Sequence, residues 1–204
     1  MNKSLEDTFG NIDIYLFDQL LKGRFDQCKN VLDVGCGGGR NLIYFLRNGL
    51  EVFGIDQNEE NIEAVKKLSQ RFSQSNALNN FVVAKAEEIP FRDDVFDLVI
   101  CNAVVHFAKD KDHFDAMLKS IWRVLKPNGF LFIRLASSIG IEDLVKPIGN
   151  GRYLLPDGSQ RFLVDEKVLL DYTKELKGEL FEPIKTTNVQ SLRCMTTWCL
   201  RKKV

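Results

Sequence analysis

"NVLDVGCGGGRNL", Asn30 to Leu42, decides the fold. Three apolar residues and a carboxylate, Asp33, run into four glycines within five positions, and a helical pattern follows. A short apolar run ending in glycine reads as a strand. A strand that feeds a glycine-rich turn and then a helix is a nucleotide-binding entrance. Glycines let a ligand approach the main chain, and the start of a helix offers unpaired N–H donors.

A dinucleotide site wants G-x-G-x-x-G. Gly35 and Gly37 fit, but Arg40 holds the third place, where a glycine is needed for close helix–strand packing. Asp33 lies two residues before Gly35, on the same strand face, and points toward the turn. A pyrophosphate there would meet a fixed negative charge, whereas an ammonium group would be welcomed. The plainer reading is that Asp33 accepts hydrogen bonds from loop amides and only shapes the turn. Asp56 closes the next strand, 21 positions after Gly35. A carboxylate there can accept both hydroxyls of a ribose, or it is simply a turn residue or helix cap. The pocket so read takes a ribose and an ammonium and no phosphate.

Outward from this stretch, strands and helices alternate. "LEVFGID", "NFVVAKA", "VFDLVICNAV" and "GFLFIRLAS" read as strands. "RNLIYFLRNG", "NEENIEAVKKLSQRF" (capped by Asn58) and "DKDHFDAMLKSIWRVLK" read as helices, the last ending at "KPNG". Apolar spacing over Ile12 to Phe25 predicts one leading helix. The alternation defines an α/β domain with a mainly parallel sheet. Residues 137–162 are rich in Gly, Pro and Ser and read as mostly irregular. "DEKVLLDYTKELKG" is a further helix, and two β-runs follow around a turn at Gln190 to Leu192.

Composition narrows the function. Lys plus Arg and Asp plus Glu are 28 each among 204 residues, so the chain lacks a strongly basic nucleic-acid footprint. No apolar stretch approaches the roughly 20 residues of a membrane span, and the amino-terminal stretch lacks a signal-peptide core. The five cysteines form no C-x-x-C pair and are odd in number. They read as reduced thiols of a cytoplasmic protein, with no metal framework. One domain is expected over 1–204: a leading helix (1–28), a cofactor-binding core (29–136), an acceptor-pocket or lid segment (137–162), and a helix with a C-terminal hairpin (163–204).

The stretches "VLDVGCGGGRN", "VFGIDQNEE", "AKAEEIPFRDDVFDLVICNAVVHF" and "RVLKPNGFLFI" together resemble class I S-adenosylmethionine-dependent methyltransferases, strongly over Asn30 to Ala136. "GGGRNLIYFL" is also loosely similar to the tellurite-resistance-type small-molecule branch. The resemblance implies a three-layer Rossmann-like, doubly wound, seven-stranded sheet with an antiparallel C-terminal strand. It implies S-adenosyl-L-methionine as cofactor. Gly35 and Gly37 would face its methionine part with Asp33 nearby, and the Asn102 carbonyl would contact the methionine amino group. Asp56 would hold the ribose, Gln57 would lie along the adenine, and Ala86 would offer its backbone to the adenine edge. Such proteins often carry Asp just before that alanine, as acceptor for the adenine amine. This chain has Lys85, which has donors only, so either Glu87 takes over or main chain and apolar contacts hold the adenine alone.

For the reaction, His106 is the candidate base, since its unperturbed pKa of about 6.5 suits proton removal near neutrality; a packed His on the loop is the alternative. His113 reads as helix surface, and Cys36 and Cys101 as packing residues. Arg152 and Arg161 bracket "YLLPDGSQ" and would suit an anionic small-molecule acceptor; otherwise they are surface arginines. Tyr153 could line the acceptor pocket, and Tyr15 and Phe17 could roof the cofactor or merely cover the core. Arg40 could reach the cofactor's carboxylate or cap local structure. A catalytically silent cofactor-binding module, or a protein or nucleic-acid methyltransferase, remain alternatives. The fourth-strand end reads "CNAVVH", without the Asp/Asn-Pro-Pro-aromatic motif used for planar amino nitrogens. The acceptor and the oligomeric state are not legible.

Overall fold

β-branched and aromatic side chains at alternate positions build the central sheet, and its two faces explain most of the helices. The computed structural model describes residues 4–73 and 75–203. Helices α1 (Leu5–Phe9) and α2 (Ile14–Leu21) lead into β1 (Asn30–Val34), α3 (Ile43–Arg47), β2 (Glu51–Asp56), α4 (Glu59–Phe72) and β3 (Phe81–Val83). β4 (Phe96–Asn102), α5 (Lys111–Val124) and β5 (Leu125–Ser137) complete the repeating part. Then come β6 (Lys146–Gly149), β7 (Arg152–Leu154), β8 (Gln160–Phe162), α6 (Glu166–Glu175), β9 (Gly178–Leu180), β10 (Lys185–Val189) and β11 (Arg193–Lys202).

The main sheet runs β10-β11-β5-β4-β1-β2-β3. β1 to β5 pair in parallel, and β11 lies antiparallel between β5 and β10. β9 pairs with the Leu200–Lys202 end of β11, so β9 and β10 share one edge position. Strand order turns around at β1, and the crevice outside the carboxyl ends of β1 and β4 is where a ligand site is expected in an open α/β sheet.

Alternation along the strands gives each face its own core. Val31, Val52, Ile100, Phe132 and Cys199 pack with Leu16 of α2, Phe45 of α3 and Ile62 of α4. Leu32, Val99, Leu131 and Ile133 pack with Phe114 and Ile121 of α5 and Leu169 of α6. The helices start where short polar side chains satisfy their free N–H groups. Asn58 accepts from Glu60 N–H, Asp110 from His113 N–H and Asp165 from Val168 N–H. All five cysteines are buried and free. Among the described residues no helix is long and apolar enough to cross a membrane.

Four local expectations are corrected. The helix expected over Ile12–Phe25 is present but shorter, Ile14–Leu21, started by Asp13 accepting from Tyr15 and Leu16 N–H, and a further short helix, Leu5–Phe9, precedes it and ends where Gly10 turns at φ +62°. "RNLIYFLRNG" is helical only over Ile43–Arg47; Arg40 sits in the preceding turn. "KPNG" does not form a separate stop, since β5 begins at Leu125 and a register shift against β4 absorbs the proline and glycine. Residues 137–162 are not mostly irregular: β6, β7 and β8 form a small antiparallel sheet. Its strands are 3 to 4 residues long, too short for periodicity to reveal.

Candidate functional site

The glycine turn is drawn tight by its own amides. Gly35 and Cys36 N–H both donate to Ile55 O, Gly39 N–H to Cys36 O, and Gly37 N–H to the Asp56 carboxylate at 2.9 Å. A phosphate cradle needs free amides, and four in this turn are already engaged. Gly35 adopts φ +72°, and a Cβ there would stand 2.3 Å from Val104 Cγ2. Gly39 does the close packing that the dinucleotide pattern assigns to the place of Arg40: a Cβ on it would meet Leu68 and Val65 at 2.7 Å. Gly37 has nothing within 4 Å of its Cβ position, so open space lies over it.

A cavity of about 510 Å³ opens beside this turn. Gly35, Asp56, Gln57, Ala86, Glu87 and Asn102 all line it. Asp56 is held by three donors: Gly37 N–H, Asn58 N–H at 2.9 Å and the Asn61 amide at 3.1 Å. A carboxylate has about four acceptor sites, so capacity remains. Lys85, Val104, Phe107 and Lys109 complete much of the wall.

His113 is a correction: it is no solvated helix residue but faces the cavity from α5, with its Nε2 3.2 Å from Glu87 Oε1. Lys109 N–H donates to His113 Nδ1, so a neutral ring carries its proton on Nε2, which lies near Glu87 without a hydrogen bond to it. Burial alone would raise the Glu87 carboxyl; its own backbone amide and the His113 ring outweigh this and hold it below the usual range. The Asp110 cap of α5 aims His113, a placement that helical periodicity does not carry.

Asp33 is 1% exposed, and neither carboxylate oxygen has a partner among the described residues. It therefore does not serve loop amides. Burial, partly offset by Arg40 and reinforced by Asp56, pushes its pKa up to about 8. The strand registers extend this pattern. Asn102 of β4 stands opposite Arg134 of β5, which stands opposite Thr197 of β11. Asp33 is on the same face, since it pairs with Ile100, two residues before Asn102. One step toward the sheet interior this face is apolar: Ile100, Phe132 and Cys199. Both Asn102 amide atoms, Arg134 Nε and Thr197 Oγ1 are buried without partners, like Asp33. Buried polar atoms are normally hydrogen-bonded, so their concentration on one face marks a place built for a polar ligand.

His106 is unsuited to the base role the sequence suggests. It is 4% exposed, and its Nδ1 accepts from Ala136 N–H at 3.0 Å. The neutral ring then holds its proton on Nε2 and offers a donor there. Burial, with Arg161 adding to it, lowers its pKa to about 4. His106→Ala is expected to cost about 1–3 kcal/mol in urea unfolding by leaving a buried amide unpaired.

The acceptor candidates are also rearranged. Tyr153 stands opposite Arg161, and Arg152 opposite Phe162, so the two arginines lie on opposite faces of the small sheet and do not converge. Arg161 sits over the Phe107 ring at 4.7 Å, at the cavity wall. Tyr153 packs against Ala136, Leu155 and Leu163. Arg40 donates to Asn11 O and lies 3.9 Å from Asp13, so it ties the turn to the leading segment outside the cavity. Tyr15 is bonded to Thr187 and carries Arg134 over its ring at 4.9 Å, while Phe17 packs edge-on against Phe9. Arg134 escaped notice in "FLFIRLAS" because a lone arginine near the end of an apolar strand gives no motif.

Fold and site together define a class I nucleoside-cofactor protein: a doubly wound sheet, an acid at the tip of β2, and a buried, unpartnered carboxylate beneath a turn whose amides are engaged. The chain belongs to the methyltransferase domain family, which matches residues 32–133, half of its length. A ubiquinone biosynthesis O-methyltransferase of Bartonella bacilliformis is 31% identical over 165 residues, covering 78% of this chain and 58% of that protein. The chain covers 63% and 45% of two further relatives, from Rickettsia akari and Bacillus subtilis, so these curated relatives are considerably longer. The fold is shared with a SAM-dependent methyltransferase from Methanosarcina mazei (TM-score 0.72, 21% identity, 91% of this chain and 97% of that one). It is shared too with a Burkholderia thailandensis 1,6-didemethyltoxoflavin-N1-methyltransferase with bound 1,6-didemethyltoxoflavin and S-adenosylhomocysteine (TM-score 0.69, 21% identity, 91% and 76% coverage). S-adenosylmethionine is the family's cofactor, and the orphaned Asp33 carboxylate and the open space over Gly37 fit it.

Proposed function

We propose that the protein transfers a methyl group from S-adenosylmethionine to a small-molecule acceptor. The observation that carries this reading is Asp33: a buried carboxylate with both oxygens unpartnered beside the glycine turn. A cation with N–H donors relieves that cost; a phosphate aggravates it.

In this reading Asp33 accepts the ammonium of the methionine part, near Gly35, Gly37 and the Asn102 main-chain carbonyl. Asp56 takes the ribose hydroxyls, Gln57 lies along the adenine, Ala86 offers main chain, and Glu87 accepts the adenine amine in the role Lys85 cannot fill. Bound S-adenosylmethionine supplies a methyl group on a sulfonium, already activated toward a nucleophile. The chain's own task is to hold, align and dry the reactants. Alignment can lower a barrier by roughly 7–11 kcal/mol in favourable systems. Val104 and Phe107 give the cavity apolar wall next to Asn102. His106 supports the Ala136 amide of the neighbouring strand and removes no proton.

A small acceptor is supported by the small molecules named for the Bartonella and Burkholderia proteins and by the zero net charge. Five unpaired thiols suit a cytoplasmic setting. Calorimetry with S-adenosylhomocysteine and with NADH tests the reading. Uptake of the thioether and not of NADH is expected, and Asp56→Ala should weaken it about a hundredfold, the value of two hydrogen bonds to a charged group. NADH binding without thioether binding overturns it.

A further inference from the structure

We propose that Arg134, flanked by Asn102 and Thr197, receives an oxyanion of the methyl acceptor, a carboxylate in the simplest case. This inference rests on the methyltransferase reading and adds the acceptor's chemical class.

The position follows from the registers. Asn102 lines the cavity, and Arg134 is its direct neighbour on β5, about 4.8 Å further along the sheet. Thr197 is the next neighbour, on β11. The three side chains share one face of the sheet, in a row that starts at the cavity residue Asn102 and runs away from Asp33.

The chemistry follows from how Arg134 is held. Its Nη1 donates to Asp13 Oδ2 at 3.1 Å. The Tyr15 ring lies against the guanidinium at 4.9 Å, and Tyr15 is itself anchored on Thr187. Nε is buried and has no partner among the described residues. One corner of the fork is thus engaged and the plane is fixed, while the buried Nε keeps an unused donor for a second acceptor. Guanidinium edges match carboxylates in geometry, and a pre-fixed edge avoids the entropy of ordering a long side chain. The Thr197 hydroxyl and the Asn102 amide add neutral donors beside it, both without partners among the described residues.

Charge points the same way. Asp13 stands between two guanidiniums, Arg134 at 3.1 Å and Arg40 at 3.9 Å. Asp33 is assigned to the cofactor's ammonium. Asp13 is thereby shared, and the partly buried Arg134, whose side chain is 18% exposed, keeps positive character on its unpartnered Nε side. Arg152 and Arg161, on opposite faces of the small sheet, cannot supply the same paired recognition.

The test uses benzoate and its uncharged analogue benzamide, titrated by calorimetry into protein saturated with S-adenosylhomocysteine. Benzoate is expected to bind at least tenfold tighter than benzamide. Arg134→Gln should weaken benzoate tenfold or more and leave benzamide unchanged, and Thr197→Val should weaken benzoate severalfold. Asp13→Asn, which keeps the helix cap and removes the competing carboxylate, should tighten benzoate. A purely structural Asp13–Arg134 pair predicts no such gain.

The proposal is overturned if wild type does not prefer benzoate, or if Arg134→Gln weakens both probes alike or neither. Should Arg134→Gln fail to fold, Asp13→Asn decides alone, and unchanged benzoate affinity overturns the proposal. Failure of S-adenosylhomocysteine to bind at all instead defeats the methyltransferase reading. The benzoate–benzamide comparison on the bare protein then still decides the role of Arg134.

Discussion

Asp33→Val is expected to abolish S-adenosylhomocysteine binding while making the empty protein more stable. The wild-type carboxyl is buried without a partner, and its pKa is pushed up to about 8 by desolvation. An acid whose folded-state pKa exceeds its unfolded value of about 3.9 carries no ionisation penalty at pH 4, leaving only the smaller cost of burying its neutral form. Stability then falls as pH rises toward 8, where the penalty reaches several kcal/mol. Valine removes that penalty and suits a strand. The variant's advantage in thermal midpoint should be smallest at pH 4 and on the order of 10–20 °C at pH 8. Its affinity should fall more than about a hundredfold, the loss of a buried charge-assisted contact. The same logic makes wild-type affinity rise with pH up to about 8, because a cation that pairs with Asp33 must first displace its proton. Binding heats at pH 7 should therefore vary with the ionisation heat of the buffer. A variant less stable than wild type at pH 8 defeats this account.

Gly35→Ala should lower stability by about 2–5 kcal/mol and remove cofactor binding with it. Two costs combine: a left-handed φ of +72°, worth roughly 1–2 kcal/mol, and an added carbon 2.3 Å from Val104 Cγ2, worth roughly 1–3 kcal/mol. Gly37→Ala separates the two effects. Nothing lies within 4 Å of its Cβ position, although φ is +51°. It should cost only about 1–2 kcal/mol of stability yet still reduce affinity, since the methyl enters the space assigned to the cofactor. Urea unfolding beside calorimetry distinguishes them. Equal stability of Gly35→Ala and wild type would show that the turn has room to relax.

The repeating part of the fold was legible because each of its signals is local. "NVLDVG" shows a strand and a turn, and Asn58 and Asp110 announce helices with their caps. The cavity lining was legible for a related reason: Gly35, Asp56, Gln57 and Asn102 sit at or just past strand ends, and Ala86 and Glu87 in the turn after β3, on the side a doubly wound sheet opens. What stayed hidden depends on pairing between distant segments. That Arg152 and Arg161 diverge is a matter of register in strands of three residues. That Asn102, Arg134 and Thr197 form a row requires β11 to lie against β5. The state of His106 depends on an amide thirty residues away, and the nearness of His113 to Glu87 on how α5 docks beside the loop after β3. The short helix Leu5–Phe9 was hidden because its five residues are too few for apolar spacing to register.

The five sulfhydryls make the molecule its own stopwatch. Cys28, Cys36, Cys101, Cys194 and Cys199 are all at most 8% exposed, so an alkylating reagent can reach them only when the polypeptide transiently opens. Cys36 sits inside the glycine turn after β1, and Cys199 on β11, three strands away along the sheet. A bound nucleoside that clamps the loop would retard labelling of the first more than of the second. The difference in their rates would then measure, in a native and unmutated chain, how far that clamping spreads.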